Sequence, residues 1–123
     1  MKKALFLIVV IAVLSIVSGN AFSEEIKTIK GEVVELACYC TTGSRGAEHK
    51  ACTVKCMEQG EPSGILEEGT GKLYVMVSGD HSANSSKKMV SYATKVVEAT
   101  GKVSERGGIT TIDISDVKEA AKL

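Results

Sequence analysis

The sequence predicts an α+β domain: a five-stranded barrel with one helix inserted after strand 1 and a second helix between strands 3 and 4. Two observations support this prediction. Five segments are rich in apolar residues and bounded by turn residues, whereas two others end at helix-stopping glycines. When the first helix is set aside, three strands, a helix and two strands remain, which is the element order of an OB-fold.

The first predicted strand runs from Ile26 to Cys40. Its alternation changes phase at Val33 and Val34, which are adjacent apolar residues, and a bulge there would explain the change. Such a break fits a barrel, because a strand that serves both halves of a small barrel must bend. Beyond the break, Cys38 and Cys40 lie two residues apart, so on a strand they would point to the same side.

The first helix is predicted over residues 47–59, because Gly60 follows as a helix stop. His49, Cys52 and Cys56 are separated by three and four residues, and these spacings place side chains on one face of a helix. We expect this helix to fold back over the end of strand 1. Five ligand-type side chains would then converge: Cys38, Cys40, His49, Cys52 and Cys56.

The remaining elements follow from local patterns. Apolar residues recur at three- and four-residue intervals after a cap at Asn84 or Ser85 and stop at Gly101, which predicts the second helix. Alternation and turn residues predict four further strands and a short final helix. The strands are Gly64–Glu68 and Lys72–Ser78, joined by a hairpin loop at 69–71, then Lys102–Glu105 and Ile109–Ile114, joined at 106–108; the final helix runs from Ser115 to Lys122.

Residues 1–23 have the pattern of a secretory signal peptide. Two lysines near the start precede an apolar run, Ala4–Val17, and Ala21 and Ser23 are small residues that suit cleavage before Glu24. The run of 14 positions is short for a membrane span, which needs ~18 or more residues. We therefore expect residues 1–23 to be removed and residues 24–123 to form a single OB-like domain. The expected location is periplasmic or secreted, with no stable membrane anchor after cleavage.

Composition excludes some classes of function. The chain has 123 residues, 44% hydrophobic and 24% charged, which is typical of a globular protein. Removal of residues 1–23 would leave 13 basic against 15 acidic residues, a net charge of −2, with Tyr39, Tyr74 and Tyr92 as the aromatic side chains. This balance disfavours nucleic-acid binding, so the expected partner is an unknown protein or small ligand. No nucleophile elbow or phosphate-binding glycine motif supports catalysis.

Several short motifs border the predicted strands and the cysteine-rich segment. The strand motifs are Gly31-Glu32-Val33-Val34, Gly101-Lys102-Val103 and Arg106-Gly107-Gly108-Ile109. The cysteine-rich segment runs from Cys38-Tyr39-Cys40 through His49, Cys52 and Cys56 to Gly64-Ile65-Leu66. Together these motifs resemble small exported bacterial OB-fold proteins that carry a Cys/His insert. The resemblance covers most of residues 24–123, and it implies the fold and export but no established activity or ligand.

The Cys/His cluster favours a soft-metal site. Thiolate and imidazole ligands suit Cu(I) and Zn(II); four ligands would satisfy tetrahedral zinc, and two or three thiolates would hold Cu(I). Met57 is a further candidate ligand for copper, although it adjoins Cys56 in sequence and is expected to lie on a different face of the helix. The spacing differs from paired Cys-x2-Cys zinc motifs. The sequence thus predicts a non-enzymatic module that binds Cu(I) or Zn(II) through Cys38, Cys40, His49, Cys52 and Cys56.

Two structural disulfides are an alternative interpretation of the same cysteines. Four cysteines in a small exported domain commonly pair, and bridges within Cys38–Cys40 or within Cys52–Cys56 would be strained. In each of the two other connectivities, both bridges would link the first helix to strand 1. Each bridge would stabilise the fold by ~2–4 kcal/mol. The module would then bind a protein or small ligand elsewhere on the barrel. Thiol exchange is a third interpretation, because Cys52 lies early in its helix with a histidine and a lysine nearby.

Overall fold

The computed structural model describes residues 24–81 and 83–121. Within them, five strands close into a barrel, which confirms the predicted fold class. The strands are β1 (Glu25–Glu35), β2 (Ser63–Glu67), β3 (Leu73–Val77), β4 (Val96–Arg106) and β5 (Ile109–Glu119). The helices described with them are α1 (Leu36–Thr42), α2 (Lys50–Gln59) and α3 (Ser85–Lys88), with 3-10 turns at Ala47–His49 and Val90–Tyr92. The predicted signal peptide, residues 1–23, lies outside the described residues.

The barrel closes through the strand order β1-β2-β3-β5-β4. Neighbouring strands are antiparallel except for β3 and β5, which pair in parallel. Strand β1 serves both halves, as the sequence predicted, because residues 25–32 pair with β4 and residues 31–35 pair with β2. At Gly31, where the two pairings meet, a Cβ atom would lie 2.3 Å from the Leu66 carbonyl oxygen, so only glycine fits.

The hydrophobic core fills the barrel and includes one residue from a helix. Buried apolar side chains come from all five strands, and Met57 of α2, which is 0% exposed, belongs to the same cluster. Helix α2 is therefore anchored to the core, and Met57 is a packing residue there. The strand residues of this cluster include Ile29, Val33, Ile65, Met76, Val97 and Ile112.

Strand β1 ends earlier than the sequence predicted. The predicted strand ran through Cys40, but β1 stops at Glu35 and α1 begins at the next residue. The Glu35 carboxylate ends the strand because it caps the helix, accepting hydrogen bonds from the N–H groups of Ala37 and Cys38 at 2.6 and 2.9 Å. Cys38 and Cys40 therefore lie on a helix, where residues two apart do not share a face.

The irregularity in the barrel lies in β4 rather than in β1. The predicted bulge at Val33 and Val34 is wrong, because β1 pairs with β2 in unbroken register through both residues. Val33 lies in the core and Val34, which follows it, is 1% exposed, so β1 is buried on both faces here and its apolar residues need not alternate. The register shifts instead between Thr100 and Gly101, opposite β5.

The second predicted helix is wrong beyond its first turns. Helix α3 and a 3-10 turn follow the predicted start, but residues from Val96 onward belong to β4. Thr94 separates the 3-10 turn from β4, because its backbone is left-handed with a φ of 62°. Met89, Ala93 and Val97 are spaced as on a helix, and all three are buried in the core, but they reach it from a turn and a strand.

Two further local predictions, a helix stop and a helix cap, are confirmed, and the predicted final helix is wrong. Gly60 ends α2 in a left-handed conformation, and Asn84 caps α3 by accepting a hydrogen bond from a backbone N–H of that helix. The final helix predicted from Ser115 is wrong, because β5 continues to Glu119 and pairs with β4 to that point; Lys122 lies outside the described residues. No helix in the described part of the chain is long and apolar enough to cross a membrane.

Candidate metal centre

The cysteine-bearing segment, residues 36–62, leaves and rejoins the barrel at one place. Glu35 at the end of β1 pairs with Ser63 at the start of β2. The Leu36 N–H also donates a hydrogen bond to the Pro62 carbonyl oxygen at 2.9 Å. Because the segment is closed at its base, α1 and α2 are held close to each other.

A short loop between α1 and α2 is tied to the barrel by Glu32 of β1. The Glu32 carboxylate accepts a hydrogen bond from the Gly46 N–H at 2.6 Å and forms an ion pair with Arg45 at 3.3 Å. The 3-10 turn Ala47–His49 follows directly and leads into α2. These contacts fix the start of α2, and with it the position of His49.

Three side chains converge between the two helices. Cys38, His49 and Cys52 each offer one ligand atom, and these atoms lie within 4.8 Å of one another. The Sγ atoms of Cys38 and Cys52 are 3.9 Å apart, and both cysteines are free thiols. Cys38 and His49 are half-buried and Cys52 is exposed, so the group is open to solvent on one side. Two thiols and an imidazole are ligands that both Zn(II) and Cu(I) accept.

The His49 imidazole carries a buried nitrogen without a partner. Its Nε2 atom makes no hydrogen bond with any described residue. Leaving a buried polar atom unsatisfied costs ~1–3 kcal/mol, so such an atom marks a place where a water or an ion binds. A metal ion held by this imidazole would give the nitrogen a partner.

The surroundings keep two of the thiols protonated. A hydrogen bond with the Glu35 carboxylate, followed by desolvation and the Cys52 thiol, raises the pKa of Cys38 to about 12. Burial, followed by a hydrogen bond with Cys52, raises the pKa of Cys56. Both thiols therefore hold their protons at neutral pH, and an ion that they bind must displace those protons.

The other two predicted ligands, Cys56 and Cys40, are not part of the group of three. Cys56 is one helical turn after Cys52 on α2, so it is a neighbouring further donor. Cys40 is exposed on α1 and does not belong to the group. The expectation that Cys38 and Cys40 act side by side depended on a strand that the structure replaces with α1. His81 is exposed in the loop before α3.

Sequence reasoning missed the part that Glu35 plays. This side chain is 2% exposed and caps α1, accepting a hydrogen bond from the Cys38 backbone N–H. The signal in the sequence was an acidic residue that ends an apolar run and precedes two helix formers, Leu36 and Ala37. Glutamate is not among the preferred N-cap residues, so the pattern favoured a strand that continues. The structure thus adds a buried carboxyl group next to Cys38.

Comparisons with known proteins assign no family to this chain. No protein-family model, curated protein or solved structure matches it. The resemblance to exported OB-fold proteins therefore rests on the sequence motifs alone. The barrel and the group of Cys38, His49 and Cys52 are observed in the structure.

Proposed function

We propose that the protein is an exported, non-enzymatic module that binds one soft metal ion, Cu(I) or Zn(II). Its ligands are Cys38, His49 and Cys52, with Cys56 as a further donor. The observation that carries the proposal is the approach of three ligand atoms to within 4.8 Å of one another. We take Nε2 of His49 as the ligand nitrogen, because it is buried without a hydrogen-bond partner among the described residues and an ion bound there would satisfy it.

The donor set accommodates both ions in different ways. Two thiolates and an imidazole complete a three-coordinate site, and Cu(I) accepts so few ligands when they are soft. Zn(II) takes four ligands in a tetrahedron, so the same group leaves one position for Cys56 or an outside ligand. The exposed Cys52 side gives an ion a route in and out.

Export supports the need for a bound ion. The signal-peptide pattern of residues 1–23 predicts an oxidising compartment, where free thiols pair unless something protects them. An ion that holds Cys38 and Cys52 as ligands removes both from thiol exchange. A periplasmic or secreted location is part of this proposal.

A disulfide-stapled module is the second candidate. The 3.9 Å separation of the Cys38 and Cys52 Sγ atoms favours it, because a bond of about 2.05 Å needs only a modest side-chain movement. The barrel would then bind a protein or small ligand elsewhere, and the His49 imidazole would have no role. The two candidates therefore differ in the effect of removing that imidazole.

Native and denaturing mass spectrometry of the exported protein tests the first candidate. We expect one ion per chain, lost on denaturation, with all four cysteines reduced. His49→Ala should weaken binding by at least about tenfold, because it removes a ligand. His81→Ala is the matched control, since it removes an exposed histidine outside the group, and it should bind as the wild type does.

Cysteine substitutions complete the test. Cys38→Ser and Cys52→Ser should each abolish binding, whereas Cys40→Ser should leave it unchanged because Cys40 is outside the group. Isolation of an ion-free protein with two fewer thiols would contradict the metal proposal and support the second candidate. Wild-type affinity in the His49→Ala variant would exclude His49 as a ligand.

A further inference from the structure

A cavity opens where strands β3 and β5 part. In the described part of the chain, the two strands pair over residues 75–77 and 111–113; β3 then ends, whereas β5 continues to Glu119. Helix α3 lies beside the end of β3, where the Ser85 hydroxyl donates a hydrogen bond to the Met76 carbonyl oxygen at 3.3 Å. Between α3 and β5 lies a cavity of about 320 Å³. This volume is at the lower end of the range for ligand pockets, so the cavity suits a small molecule.

The most buried residues that line this cavity are apolar. Met76 and Met89 are each 5% exposed and belong to the hydrophobic core, and the half-buried Val117 of β5 also lines the cavity. Methionine side chains are unbranched and flexible, so they adapt to an apolar group of irregular shape. The cavity can therefore receive an apolar group against the core.

The two walls of the cavity carry charges of opposite sign. Lys88 lines it from α3, whereas Asp113 and Asp116 line it from β5. None of these three side chains forms an ion pair with a residue among 24–81 and 83–121. The ammonium group of one wall and the two carboxylates of the other are therefore available to a ligand.

Lysines beside these aspartates on the sheet are engaged elsewhere. Lys102 is the β4 partner of Asp113, but its ammonium group pairs with Glu24 at 2.6 Å. Lys118 follows on β5 and pairs with Glu98 of β4 at 2.9 Å. The acidic wall is therefore complementary to a cationic group supplied by a ligand.

The Asp113 carboxylate is held in place and can still accept hydrogen bonds. One of its oxygens accepts a hydrogen bond from the Gly79 N–H at 2.9 Å, and the residue is half-buried. A carboxylate offers about four acceptor positions, so it can also accept hydrogen bonds from a ligand ammonium group. Asp113 is thus a positioned anchor, whereas Asp116 and Lys88 are exposed.

We propose that this cavity binds a small zwitterion with an apolar side chain, of the class of a free apolar amino acid. The ligand ammonium group pairs with Asp113 and Asp116, and its carboxylate pairs with Lys88. Its apolar side chain packs against Met76 and Met89. A ligand with one charge would leave one wall unpaired, whereas a zwitterion is complementary to both walls. None of the proposed metal ligands lines the cavity, so this inference goes beyond the proposed function and does not depend on it.

Titration of the exported protein with L-valine, L-leucine and L-methionine tests the proposal, with backbone amide NMR shifts reporting where each ligand binds. We expect saturable shifts at residues that line the cavity, with a Kd of about 1 mM or tighter. Two analogues of leucine probe the charges, because isoamylamine lacks the carboxylate and isocaproic acid lacks the amino group. Each should bind at least about tenfold more weakly than leucine.

Variants of the two walls complete the test. Lys88→Met removes the ammonium group, and Asp113→Asn keeps an acceptor for the Gly79 N–H; each should weaken leucine binding by about tenfold. In Lys88→Met, the advantage of leucine over isoamylamine should disappear. Lys87→Met is the matched control, because Lys87 lies near Gly60 and does not line the cavity, and it should bind leucine as the wild type does.

Three results would overturn the proposal. The first is equal binding of leucine and either analogue by the wild type, because one charge of the ligand would then have no partner. The second is the absence of saturable shifts at the cavity with all three amino acids, and the third is shifts confined to another surface. The analogue series needs no variant, so it remains a test even if Asp113→Asn fails to fold.

Discussion

Cys38 and Cys52 lie close enough to share an ion and close enough to react with each other. Their Sγ atoms are 3.9 Å apart, and each sits on a different helix of the insert between β1 and β2. The same two sulfurs cannot serve as thiolate ligands and as a disulfide at one time. Oxidation would therefore compete directly with the proposed metal binding at this pair.

This competition predicts the product of mild oxidation. When ion-free protein is treated with oxidised glutathione, we expect a Cys38–Cys52 disulfide: the two thiols lose two protons and two electrons, which reduce the glutathione disulfide to two thiols. The protein mass falls by about 2 Da, and saturation with Zn(II) beforehand should slow the reaction. Peptide mapping checks the pairing; a bridge through Cys40 would contradict the geometry, and Cys40→Ser should react as the wild type does.

The proposed metal binding through the Cys38 thiol should also depend on pH. Because its pKa is about 12, the thiol keeps its proton throughout the neutral range, and an ion must displace that proton. Affinity should therefore rise with pH and fall as pH falls, by about tenfold per pH unit for each thiol that gives up a proton. Zn(II) competition titrations at pH 6, 7 and 8 measure this slope. An affinity that does not change with pH would show that no thiol proton is released.

At the scale of elements, α2 carries ligands on one side and a core residue on the other. Met57 is fully buried among barrel residues, whereas Lys55 of the same helix is exposed. Met57→Ala should destabilise the fold by ~2–5 kcal/mol, because it leaves a cavity in the core. It should also weaken metal binding by loosening the helix that holds Cys52. Thermal unfolding measures the first effect; Lys55→Ala is the matched control, and equal stability of the two variants would contradict this packing.

The elements also show what local sequence can predict and what it cannot. Gly60 and Asn84 act through their own backbone and side chain, so the helix end and the cap were predictable. The strand at Val97 was not, because an apolar residue with helical spacing to Met89 and Ala93 fits the core equally well from a strand. In the structure, the left-handed backbone of Thr94 ends the helical segment and allows a strand to follow. This conformation depends on tertiary structure and not on the local sequence pattern.

For the whole molecule, the order of strands and turns was enough to predict a five-stranded barrel. The site was predictable only in part. The spacing of His49 and Cys52 on one helix placed them together, but the contribution of Cys38 depended on a strand that ends at Glu35. The Glu35 carboxylate caps α1, so Cys38 lies on a helix and not on a strand, and no periodic pattern encodes such a capping interaction.

The closed base of the insert has a consequence for the design of new proteins on this scaffold. Glu35 and Ser63 are sheet partners, so residues 36–62 begin and end at neighbouring points of one edge. A segment of another length or chemistry can be grafted between these two residues without changing the register of any strand pair. The graft must replace the buried side chains of Thr53 and Met57 and the packing of Val54 against the core. The barrel would then serve as an exchangeable frame for other binding loops.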